Sequence, residues 1–197
     1  MKERSSKMIS FAVVLAIILS TSGNTFAYMR LGKGKISGGA KGILYYIDSS
    51  ASEYSDSINY GIQYWNSKVS TVSVARTDEK SSSRCDVYWG SYFPSPTGVI
   101  AQTYLKLNNQ DAPSYDTDWY WCEIKLNSKV FKYYDDKTQT GLSYFDRIGT
   151  ACHEYGHFLG LWHVSDKTAI MSQLGDGRTA GSPSADDIAG IKAIYGS

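Results

Sequence analysis

All three histidines of the chain, His153, His157 and His163, fall in one eleven-residue stretch, HEYGHFLGLWH. If residues 144–159 are helical, His153 and His157 stand at i and i+4 on one face, where two imidazoles can reach a single metal ion. Gly160 is the residue type most able to take positive φ, so it can end the helix and turn the chain back to bring His163 in as a third ligand. Three nitrogen ligands with one position left open describe a catalytic zinc rather than a closed structural one. Glu154, about 100° around the helix from His153, points beside that ion, where a carboxylate can take a proton from water. An ordinary helix with satisfied histidines accounts for HExxH alone, but not for the glycine and third histidine that follow it at this spacing.

Such a helix needs a second face that anchors it. Ile148, Ala151, Cys152, Tyr155, Phe158 and Leu159 recur at the spacing of a buried stripe on the side away from the histidines. The rest of the chain supplies what that stripe would pack on. Residues 42–48 (GILYYID), 69–76, 85–89 (CDVYW), 98–104 (GVIAQTY) and 119–127 (WYWCEIKLN) read as strands. Tyr54, Ile58, Gly61, Ile62 and Trp65 recur with helical period. Near the carboxyl end, Ser184 can cap a last helix with Asp186 and Asp187 in its first turn and Ile188, Ile191 and Ile194 facing inward.

The amino terminus reads as an address. Lys2, Arg4 and Lys7 precede an apolar run over residues 8–19, then small and polar residues up to Ala27, which is a secretory signal peptide spanning residues 1–27. The apolar run falls short of the roughly 20 residues a membrane helix needs. Residues 28–41, rich in glycine and lysine, read as a flexible lead-in with no room for a folded propeptide, and residues 42–197 as one domain. The chain has 20 basic and 19 acidic residues. Loss of residues 1–27 removes three of the former and one of the latter, so a net charge of −1 gives no general attraction to nucleic acid or to an anionic membrane.

Met171 follows His163 by eight residues in DKTAIM, and the chain closes on SADDIAGIKAIYG. With HExxHxxGxxH, these residues make the chain resemble the metzincin peptidases, and within them the matrixins, over nearly all of the exported part. The resemblance implies an α+β, zincin-like fold: a twisted mixed sheet of about five strands with three helices. It implies that residues 98–104 form an antiparallel edge strand along the cleft, on which an extended protein or peptide substrate can add as one more strand. It makes His153, His157 and His163 zinc ligands, Glu154 the general base and Met171 a hydrophobic floor beneath the metal. A secreted, extracellular, monomeric zinc endopeptidase is the expectation, with a proteinaceous inhibitor as a further partner. The alternative is a secreted binding or immunity module that keeps the zinc fold without turnover, and Glu154 argues against it, since a module that only binds needs no base. Val164, Ser172 and Gln173 depart from the serine and Tyr-Pro usual in matrixins at these places, and Gln173 supplies no tyrosine ligand of the astacin or serralysin kind.

Two smaller expectations concern other side chains. Asp111, Asp116 and Asp118 in the polar loop 108–118 could hold a calcium ion, but they form no EF-hand pattern and a solvated loop is the stronger reading. Cys85, Cys122 and Cys152 are an odd number, so at least one is unpaired. Cys152 should be a buried thiol on the apolar face of the zinc helix. The resemblance makes the strands of Cys85 and Cys122 neighbours, which would let them pair only at a suitable register.

Overall fold

The computed structural model describes residues 27–93, 98–132 and 141–196. Residues 1–26 of the expected signal peptide lie outside them. Alternation of buried and half-buried side chains builds the sheet. In β2 (Ile43–Ile47), Ile43, Tyr45 and Ile47 are buried while Leu44 and Tyr46 are only half-buried. The other strands of the main sheet are β3 (Val74–Arg76), β4 (Cys85–Gly90), β5 (Ala101–Leu107), β6 (Gln110–Asp111) and β7 (Trp121–Asn127). Their order is β3-β2-β4-β7-β5-β6, with β2, β3, β4 and β7 parallel and β5 and β6 antiparallel to their neighbours. The α+β mixed sheet expected from the matrixin resemblance is present, with six strands rather than about five.

Four helices accompany the sheet: α1 (Ser55–Lys68), the one-turn α2 (Ser128–Lys132), α3 (Tyr144–Phe158) and α4 (Ala185–Tyr195). Helix α3 begins where Ser143 accepts the backbone N–H of Asp146 at 3.0 Å, which satisfies one of the free donors of a helix start. It lies hard against α1: a Cβ on Gly61 would sit 2.4 Å from the Ile148 carbonyl oxygen, so only glycine permits this approach. The Trp65 indole N–H then donates to the Cys152 carbonyl at 3.1 Å. Ala151, Cys152, Tyr155, Phe158 and Leu159 are all buried in the single core they share with the sheet. The stripe read from the sequence is therefore the anchoring face of α3.

Residues 28–41 are not a flexible lead-in. β1 (Met29–Arg30) pairs antiparallel with β8 (Leu161–Trp162), the Leu31 N–H donates to the Gly160 carbonyl at 2.8 Å, and Ile36 is fully buried beside Trp119. Burial of one such isoleucine stabilises by about 1.5–3 kcal/mol, which adds to the β1–β8 pairing and to the backbone bonds of Gly34 and Ser37 in holding the segment in place. The glycines serve close approach: a Cβ at Gly32 would lie 2.3 Å from the Tyr115 oxygen, and at Gly34 2.4 Å from the Thr117 oxygen. The structured domain thus begins before residue 42.

Two strand boundaries also differ from expectation. Only Val74–Arg76 of residues 69–76 is a strand, because Asn66 bonds both the N–H and the C=O of Val74 at 2.7 Å and starts the ladder there. Val69 and Val72 reach the core from a turn instead, a pattern that imitates alternation. β5 spans Ala101–Leu107 rather than 98–104, and its outer side is met by β6 at Lys106 and Leu107, so it is the last strand but one. Residues 98–103 still line the cleft.

Candidate metal centre and active site

Helix α3 delivers two of the three histidines and ends where the third must be reached. Gly160 takes φ +96° and its N–H donates to the His157 carbonyl at 2.9 Å. β8 then runs back along β1 and hands the chain to His163. The ligand-capable nitrogens of His153, His157 and His163 all lie within 4.8 Å of one another, and among the described residues this is the one such cluster of three or more histidine, cysteine or acidic groups.

The ring orientations are fixed from behind. Nδ1 of His153 lies 2.8 Å from the Ile170 carbonyl oxygen, and Nδ1 of His157 lies 2.8 Å from that of Leu161. A carbonyl only accepts, so each Nδ1 carries the proton and each Nε2 keeps its lone pair. Yet Nε2 of His157 and Nε2 of His163 face each other at 3.1 Å. In the metal-free protein a proton on Nε2 of His163 can bridge the two rings, and with that proton gone both lone pairs are free to hold a cation between them. Tetrahedral zinc with Zn–N bonds of about 2.0–2.1 Å sets ligand nitrogens about 3.3 Å apart, so the donor set fits such an ion. Burial pushes His153 well below the usual imidazole range, His157 down to about 4, and the half-buried His163 downward as well. All three are thereby kept as neutral, ligand-competent rings.

Glu154 is buried beside them. Burial pushes its carboxyl up to about 7, against the opposing effect of the Thr103 hydroxyl, which donates to Oε2 at 2.7 Å. Thr103 comes from β5, and its pairing with Glu154 is visible only once the sheet is assembled. Met171 is buried under α3: a Cβ on Gly156 would lie 2.4 Å from the Met171 sulfur. Asp187 does more than favour a helix start. It is buried, and besides its capping bonds with Ser184 it accepts the N–H groups of Ile170 and Met171 at 2.9 and 3.3 Å.

These side chains open on a cleft of about 580 Å³. Leu31, Tyr115 and Trp162 line part of it, with the Trp162 ring 4.9 Å from that of His163 and 5.9 Å from that of Tyr115. Thr150, Gln173, Leu174, Gly175 and Arg178 line it as well. Gln173 also touches the site, its Nε2 standing 3.3 Å from Nδ1 of His163. Thr103, Trp162 and Arg178 went unread in the sequence. A tryptophan just before the third histidine and an arginine after a glycine turn were the only local signals.

The remaining expected residues lie elsewhere. Asp116 and Asp118 accept the backbone N–H groups of Lys33 and Lys35 at 2.9 and 3.0 Å, and Asp111 pairs with Lys106 at 2.7 Å. Each thus has a protein partner, and the three serve to tie the amino-terminal segment and β5 in place. Cys85, Cys122 and Cys152 are all free and buried. Cys85 and Cys122 stand directly opposite each other on parallel strands, where Cβ bonds run side by side instead of aiming at one another. No helix among the described residues is long and apolar enough to cross a membrane.

Residues 48–196 match the Matrixin family, Peptidase_M10. The hatching enzyme of Paracentrotus lividus is 29% identical over 158 residues, covering 76% of this chain and 24% of that protein. Stromelysin-3 of Xenopus laevis is 44% identical over 105 residues, covering 53% of this chain and 19% of that one. The crystal structure of myroilysin superimposes with a TM-score of 0.49 at 12% identity, over 80% of this chain and 84% of that one. The chain spans about a quarter or less of the length of these two curated relatives.

Proposed function

The chain belongs to the matrixin family, and from that premise we propose that it is a secreted zinc endopeptidase in which His153, His157 and His163 hold the metal and Glu154 is the base. The observation that carries this reading is the pair of Nδ1–carbonyl bonds that turn two Nε2 lone pairs toward the third histidine. Zinc, when bound, supplies a Lewis acid that makes water nucleophilic near neutral pH and polarises a carbonyl. Glu154 takes the proton of the attacking water and passes it to the leaving amine. Burial favours the protonated form of its carboxyl, which helps it return the proton, and the Thr103 hydroxyl holds Oε2 in place by donating to it.

The substrate would lie extended along residues 98–103, whose backbone lines the cleft and can bind any peptide through main-chain bonds. Export by the signal peptide of residues 1–27 would place the enzyme outside the cell, where protein substrates of this kind are met. Glu154→Gln tests the reading: the variant should keep fold and one zinc per chain yet lose turnover by about 10²–10⁴-fold, the usual worth of general acid–base catalysis. Turnover equal to wild type would refute the role of Glu154. A wild type that cleaves nothing in a peptide library, with a chelator control, would favour the non-catalytic binding module.

A further inference from the structure

Arg178 carries a charge that no carboxylate among the described residues pairs with directly. The residue is only 7% exposed, and its Nε and Nη2 have no hydrogen-bond partner among the described residues. Its one recorded bond is a long one, from Nη1 to the Ser172 carbonyl at 3.4 Å. The carboxylates within electrostatic reach are Glu154, Asp146 and Asp187. Each is already engaged, with Thr103, with Ser143, and with Ile170, Met171 and Ser184 respectively. Among the described residues, no ion pair to Arg178 forms. Leaving a buried guanidinium without an anion costs several kcal/mol.

The local chain is nevertheless built to put it there. Gly177 takes φ +89° and turns Arg178 inward from the loop that follows Met171. Gly149 of α3 leaves the space: a Cβ at that position would lie 3.0 Å from Nη2. Arg178 is also part of the cleft wall, and Gly149, which its Nη2 meets, precedes Thr150 of the same wall. Arg178 is thus on the Glu154 side of the cleft, since Thr150 sits one helical turn before Glu154 and Glu154 is within electrostatic reach of the guanidinium. A leaving amine must lie by the residue that protonates it, so the substrate residue after the scissile bond projects toward Arg178.

We propose that Arg178 is the floor of the subsite for that residue and selects an acidic side chain there, with glutamate preferred to its neutral isostere. The proposal rests on the endopeptidase reading for the direction of the substrate. A carboxylate entering the cleft would supply the anion that the guanidinium lacks, through charge-assisted bonds. An apolar side chain would leave the guanidinium unpaired and remove what solvent still reaches it.

Matched peptides bearing Glu, Gln, Leu or Lys after the scissile bond test this by kcat/KM. The Glu peptide should exceed the Gln peptide by about tenfold or more, since hydrogen bonds to charged groups are worth about 1.5–3 kcal/mol. Arg178→Met should bring that ratio close to one, and Arg178→Lys should retain its direction. A wild type that prefers Leu, or an Arg178→Met variant that slows all four peptides equally, would overturn the proposal. Should the variants misfold, as circular dichroism and zinc content report, the wild-type ratio decides alone. Equilibrium binding of the same peptides to Glu154→Gln protein gives the ratio without turnover. Absence of cleavage would then sink the peptidase, while equal binding of Glu and Gln peptides would sink the subsite.

Discussion

Thr103→Val removes one hydroxyl and keeps the shape of the side chain, and its effect on catalysis can be worked from the structure. The hydroxyl has one proton and two acceptors in reach, Oε2 of Glu154 at 2.7 Å and the Glu154 carbonyl at 2.9 Å. The shorter, charged acceptor takes it. The bond favours the ionised carboxyl, opposing the burial that raises Glu154 to about 7. Loss of a hydrogen bond to a charged group costs about 1.5–3 kcal/mol. At 1.36 kcal/mol per pH unit, the acid limb should move up by about one to two units. Bound zinc would lower Glu154 in wild type and variant alike and leave the difference. The measurement is kcat/KM against pH on one peptide, with zinc content matched. At a pH below both limbs the variant should fall about ten- to a hundredfold, and the two profiles should converge in the alkaline range. A variant with an unshifted acid limb, or one uniformly slower at every pH, would show that Thr103 does not act through the ionisation of Glu154.

Acid should strip the metal with more than one proton per zinc, because every ligand must be neutral and their depressed values delay competition until below the ordinary imidazole value of 6.5; full zinc retention at pH 3.5, by dialysis and elemental analysis, would contradict it. In the metal-free protein His157 binds fewer protons folded than unfolded between about 4 and 6.5, so acid costs roughly 3 kcal/mol of stability there. The raised Glu154 works the other way over nearly the same range, its contribution being lost as pH rises from 4.5 through about 7, so it should offset most of the His157 slope when unfolding free energy is measured against pH. Thiol titration should find no reactive cysteine in the native protein and three after denaturation; a count of one would mean that Cys85 and Cys122 had bridged.

What the sequence made legible was whatever a single element carries. Both faces of α3 were readable because 3.6-residue periodicity separates His153 and His157 from the apolar stripe within one segment. Ser184 announced the last helix, and its capping box with Asp187 is there. Partners from other elements were not readable. Thr103 meets Glu154 only through the register of β5 on β7, and β5 starts three residues later than its composition suggests. Gly32 and Gly34 looked like freedom because composition cannot distinguish a glycine that moves from one that another backbone touches. Arg178 had no periodic signal, since a turn rather than a helix or strand aims it inward.

The same distinction explains how the proposed metal centre is held in shape. The imidazole of His153 is oriented by the carbonyl of Ile170, and that of His157 by the carbonyl of Leu161. Neither carbonyl sits in a regular element that could fix it alone: one belongs to the turn before Met171, the other to a two-residue strand. Each is anchored by a segment remote in sequence. Asp187, at the start of α4, takes the N–H groups of Ile170 and Met171, and β1 pairs with Leu161 and Trp162 while Leu31 bonds Gly160. The amide of Tyr28 in turn reaches Asp186, next to Asp187, at 3.0 Å, so the amino-terminal segment and α4 brace one another. Partners behind a ligand set its direction as firmly as the metal does, and here those partners hang from both ends of the described chain. An eleven-residue motif can name the candidate ligand atoms. The geometry that lets them bind depends on residues 28–31 and 184–187, which contain no ligand at all.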